Sequence, residues 1–226
     1  MNGQTICYAE GALSAGGAFI FGRANKGFTS GTLDLNGFDQ DTKTLQNGVT
    51  AEVGDTTVFG QVKSASRPAV ITTHDTENRK IAMQFTGYAG YAHAGSGTYT
   101  FINFASTATN TLSVLAGGVT LKSGAGFPNA KAVHVASGAT LTVDKTSESV
   151  AFGSVGASRA LTTIEEGGAL ALTDGAAVTV RRLCVGGKGI EPGIYTAGDP
   201  ANSWLTGSGS VRVLQSWKPG VMLIVK

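Results

Sequence analysis

The chain has 226 residues, 17 basic and 15 acidic, with a net charge of +2. Charged residues make up 14%, hydrophobic residues 42%, and the 33 glycines are roughly twice the usual share. This composition excludes intrinsic disorder, the lack of a Gly-X-Y period excludes collagen, and the near-neutral charge gives no footprint for nucleic acid or an anionic membrane.

The 27 Thr and 19 Val favour strands, and scarce Glu, Lys and Arg leave little to build long helices. No segment approaches ~18 uninterrupted apolar residues, so no transmembrane helix is expected. The start, Met1-Asn2-Gly3-Gln4-Thr5, lacks a charged and an apolar region of the signal-peptide kind. It reads as a cut inside a longer protein, whose export signal would then lie elsewhere. Cys7 and Cys184 cannot make a disulfide-stapled scaffold. One bridge between them is formally open, and two small buried hydrophobes are the expectation.

In chain order, short runs alternate apolar and polar residues and end at Gly, Asn or Asp. Thr32-Leu33-Asp34-Leu35 runs into the turn pair Asn36-Gly37. Leu112-Ser113-Val114 and Val119-Thr120-Leu121 flank Gly117-Gly118, and Val133-His134-Val135 precedes Ser137-Gly138. Leu141-Thr142-Val143, Leu170-Ala171-Leu172, Val178-Thr179-Val180 and Val211-Arg212-Val213 follow. In each, the apolar residues share one face of a strand. Residues 145–158 are the least patterned and read as loop.

Three segments repeat Gly followed by alternating apolar positions: Gly118 to Leu121, Gly138 to Val143 and Gly168 to Leu172, with a fourth upstream at Gly31 to Leu35. Strand repeats of this length predict a solenoid with one turn per repeat. The expected fold is all-β, a right-handed parallel β-helix in one domain, with a β-sandwich as the alternative. Residues 1–27 would form an opening coil, 28–214 the repeats and 215–226 a terminal strand or cap. Roughly eight to ten coils follow, making a rod on the order of 40–50 Å long.

The stretch from Phe28 to Gln40, with Leu33-Asp34-Leu35-Asn36-Gly37 at its centre, resembles the autotransporter-associated β-strand repeat of bacterial surface proteins. Thr44-Leu45-Gln46-Asn47-Gly48 fills the family's next strand and turn. Gly95 to Phe101 resembles its Gly-x-Gly-Thr-Leu-Thr-Leu unit, and Leu112 to Leu121 and Val133 to Val143 its later units. The tail, Gly193 to Thr196 and then Trp204 to Val213, is similar to a closing segment of such proteins. The resemblance implies a right-handed β-helix and an exported, extracellular stalk or passenger segment whose partners are neighbouring modules of the same polypeptide. It implies no shared activity. No membrane barrel follows, and Ser64 to Gly97 departs from the repeat.

Candidate chemistry is sparse. Asp34, Asp39 and Asp41 surround a turn and could attract Ca²⁺, but they lack the spacing of a calcium loop and read as strand ends. His74-Asp75-Thr76-Glu77, beside Arg79 and Lys80, could supply a general base but reads as a polar hairpin tip. Tyr88, Tyr91, His93 and Tyr99 could stack against a sugar, and they are the expected contacts if the chain is a carbohydrate-binding module for environmental or host glycans. They could equally pack against a coil. His134 alternates with valines and should face outward. Glu165-Glu166 and Arg181-Arg182 are adjacent pairs, which on a strand point to opposite faces. A polysaccharide-cleaving enzyme needs two carboxyls facing one bond, and no such pair is found. Gly207-Ser208-Gly209 lacks a nucleophile elbow, and there is no P-loop, HExxH or CxxC. Trp204 and Trp217 are expected to plug the C-terminal end, with a carbohydrate platform as the alternative. The expectation is a structural, non-catalytic segment with no cofactor.

Overall fold

The computed structural model describes residues 3–22, 29–122, 124–144, 152–153 and 160–217. Most of the loop expected over 145–158 lies outside these residues. The protein is all-β, with one 15-stranded mixed sheet and two small sheets among the described residues.

Two parallel ladders organise the large sheet. The first runs through Gly3–Ile6, Ser30–Asp34, Phe59–Thr73, Arg79–His93, Thr111–Val114, Ala132–Val135, Leu161–Ile164 and Leu183–Val185. The second leaves Arg79–His93 through Thr98–Ile102, Gly118–Lys122, Thr140–Asp144 and Ala169–Thr173 to Leu205–Gly207. A third, shorter parallel pair joins Ala177–Val180 to Ser210–Val213. Phe59–Thr73 and Arg79–His93 are 15 residues each, and Arg79–His93 is long enough to serve both ladders.

Alternation sets the core. In the second ladder Tyr99, Val119, Leu141, Leu170 and Leu205 stand in one column, and Phe101, Leu121, Val143 and Leu172 in the next. All are buried in one continuous cluster, where each large apolar side chain contributes ~1.5–3 kcal/mol relative to exposure. Threonines 100, 120 and 142 point the other way on the same strands, half-exposed. The sequence repeats therefore stack as apolar columns, although their glycines do not: Gly118 faces Thr140, and Gly138 lies in the preceding turn. The fourth repeat, Gly31 to Leu35, belongs to the first ladder instead.

At the C-terminal end the parallel order stops. Lys188–Ile190 folds back antiparallel on Leu183–Val185, and Gly193–Thr196 antiparallel on Ser210–Val213. These strands cover edges that would otherwise offer unpaired backbone groups. Trp204 is buried there against Tyr195, ring centroids 6.2 Å apart. The backbone of Trp217 passes so close to Gly189 that a Cβ at 189 would strike its carbonyl. Trp204 is therefore no open carbohydrate platform.

Candidate functional site

Along the first ladder one inward column reads Thr42, Thr73, His93, Val114, Val135, Ile164, Val185. It is apolar over its C-terminal half and polar over the rest. Thr42, Thr73 and His93 are buried, as are Thr44, Asp75, Tyr91 and Tyr99 around them. A polar cluster thus sits inside the core, and every buried side-chain polar atom among the described residues has a hydrogen-bond partner.

The partners fix the directions of the hydrogen bonds. His93 Nε2 is 2.9 Å from the carbonyl of Gly97, which can only accept, so Nε2 carries the proton. Burial lowers the pKa of His93, with the Gly97 bond acting against it, and the ring is neutral. Nδ1 then accepts from the Thr73 hydroxyl at 3.0 Å. With its proton committed, Thr73 Oγ1 accepts from the Tyr91 hydroxyl at 2.8 Å. The result is a one-way chain from Tyr91 through Thr73 and His93 to Gly97. Burial raises the Tyr91 hydroxyl well above its ordinary value, so it keeps its proton.

A second branch surrounds Tyr99. Its hydroxyl accepts from the Leu45 backbone N–H at 3.0 Å and lies 2.6 Å from Thr44 Oγ1. Asp75 is fully buried and accepts from Arg79 Nε at 2.8 Å and from the Glu77 N–H at 3.0 Å. Burial alone would raise the Asp75 carboxyl, but hydrogen bonds from Thr44, Arg79 and the Glu77 N–H hold it below its ordinary value.

The predicted residues are thus brought together only in part, and in an unexpected place. Tyr91, His93 and Tyr99 converge, but inside the core at 0% exposure. They have no surface to offer a sugar, and the reading of these three as sugar contacts is corrected. Tyr88, 43% exposed, is the one of the four at the surface. The hairpin expected at residues 74–77 is also corrected, because the strands on either side of it pair in parallel. Asp75 turns inward to Arg79, while His74 reaches Asp41 at 2.8 Å outside. Thr44 and Thr73 were missed; their signal was a threonine at an inward strand position.

The acidic residues around the first turn do not converge. Asp34 meets Lys63 at 3.3 Å, Asp39 accepts from the Val70 N–H at 2.7 Å, and Asp41 pairs with His74. Among the described residues no three metal-ligating side chains come together. Glu165 lies in the turn after Leu161–Ile164, where His134 Nε2 and the Ser137 N–H hold its carboxyl below the ordinary range. His134 faces outward, as its alternation requires. Cys7 and Cys184 are buried free thiols, each raised by burial. No protein family, curated protein or solved structure matches the chain.

Proposed function

We propose that the chain is a right-handed parallel β-helix acting as a non-catalytic stalk or passenger segment of an exported bacterial surface protein. The observation that carries the reading is the register: corresponding strands return in parallel after 20 to 35 residues, as from Tyr99 to Val119 and from Leu170 to Leu205. A chain that winds this way adds one strand to each ladder per turn, and right-handed crossovers are the rule for parallel strands. Eight parallel strands in the first ladder make seven steps, a length of roughly 34 Å. That is shorter than a rod built on uniform 20-residue turns, because several turns are longer.

A surface role is supported by the resemblance of the 28–40 and 95–143 segments to passenger repeats. It is also supported by the burial of Tyr91, His93 and Tyr99, whose hydrogen bonds are spent inside the body. Antibodies raised against the chain should label intact bacteria that carry its gene. Labelling that appears only after permeabilisation would contradict the reading.

A further inference from the structure

The long parallel pair between residues 59 and 93 breaks its register once. Ser64 faces Gly87 and Ala69 faces Ala89, so the four residues 65–68 stand opposite Tyr88 alone. A bulge of this size re-aims side chains, and all four of its residues are exposed. It is held at both ends. The fully buried Ser64 donates its hydroxyl proton to the Arg67 carbonyl at 2.6 Å and accepts from the Gly37 N–H at 3.0 Å. Asp39 takes the Val70 N–H at 2.7 Å. Pro68 has no N–H to withdraw from the ladder.

Gly37 has a φ of +81°, and a Cβ there would come within 2.9 Å of Arg67 Cβ and Nε. A glycine at 37 is what leaves room for the arginine. The Arg67 guanidinium then lies 5.4 Å from the centre of the Phe38 ring, inside cation–π range. Among the described residues no carboxylate pairs with it. On the next strand, opposite the bulge, stands Tyr88, 43% exposed, its carbonyl holding Asn110 Nδ2 at 3.0 Å.

We propose that this corner binds an acidic glycan. Arg67 receives the carboxylate of a uronic or sialic acid unit through its N–H fork, and the Tyr88 ring stacks on the apolar face of the sugar. Phe38 is a positioning residue that props the guanidinium. A single unpaired positive charge suits one carboxylate, whereas phosphate recognition uses clusters of arginines. The strands on both sides of the bulge are already paired, so no sheet edge is open to an acidic peptide. The inference stands on the bulge and is independent of the stalk reading.

The test is calorimetric titration of the whole chain with oligogalacturonate, oligoalginate and sialyllactose, against methyl-esterified oligogalacturonate, lactose, inorganic phosphate and polyglutamate. Saturable binding to a carboxylated sugar is expected, lost on esterification. Arg67→Gln and Tyr88→Ala should each weaken it by about tenfold or more while the melting temperature is unchanged. Absence of binding to all three acidic sugars overturns the proposal. So does binding that Arg67→Gln leaves intact, or phosphate or polyglutamate binding as well as the sugars do.

Discussion

Thr73 and His93 face each other across a parallel strand pair and share a 3.0 Å hydrogen bond inside the core. In this direction the bond requires a neutral ring, since a protonated Nδ1 has no lone pair with which to accept. Burial lowers the folded-state pKa of His93. Its contribution to stability is therefore complete above the unfolded value of about 6.5 and is lost as pH falls below it. Chemical denaturation from pH 7.5 to 4.5 should show stability declining below about 6.5. In His93→Gln, whose amide can still donate and accept, that decline should flatten. An unchanged slope in the variant would place the titration elsewhere.

Asp75 adds a second acid limb. Its carboxyl sits below the ordinary range, so its stabilisation holds above about pH 4 and disappears as pH falls through the folded value. Asp75→Asn leaves Arg79 without its buried charge partner and should cost about 1–3 kcal/mol at neutral pH, read from urea midpoints.

The two core tyrosines should differ on losing their hydroxyls. Tyr99→Phe strands the buried Leu45 N–H and should cost about 1–3 kcal/mol. Tyr91→Phe removes a donor to Thr73, which keeps its own bond to His93, and should cost about 1 kcal/mol. The reverse order would contradict the assigned directions. Both hydroxyls are raised by burial. Their contribution is full below the unfolded value near 10 and is lost as pH rises past it. Absorbance at 295 nm should show two of the five tyrosines ionising only with alkaline unfolding.

Close stacking of turns makes some glycines irreplaceable. A Cβ at Gly95 would strike the backbone of Asp75, whereas at Gly16 it would meet nothing nearer than 4.0 Å. Gly95→Ala should lose at least about 2 kcal/mol or fail to fold, and Gly16→Ala should stay within about 0.5 kcal/mol of the parent.

Much of the ladder architecture was legible because alternation is local. Val133-His134-Val135 and Leu141-Thr142-Val143 each declare an inner face, and the structure stacks Val135 on Val114 and Leu141 on Val119. The polar cluster was not legible. Tyr91 and His93 alternate like any strand residues, and whether an aromatic faces sugar or core depends on which strand lies beneath it. The partner that settles this for Tyr99, Thr44, is 55 positions away. The bulge at 65–68 left only an indirect trace, the departure of Ser64 to Gly97 from the repeat pattern.

The most direct test of the stacked architecture is a pair of spin-label distances on the outward face of the second ladder, with Cys7 and Cys184 replaced by alanine. Lys80, Thr100, Thr120, Thr142, Ala171 and Thr206 follow one another across five strand steps. Labels at 80 and 206 should therefore report a backbone separation of roughly 24 Å, and labels at 120 and 206 roughly 14 Å. A difference of about 10 Å between the two, each in a single narrow distribution, is the predicted result. Equal distances, or a longer one for the pair three steps apart, would contradict the parallel stack.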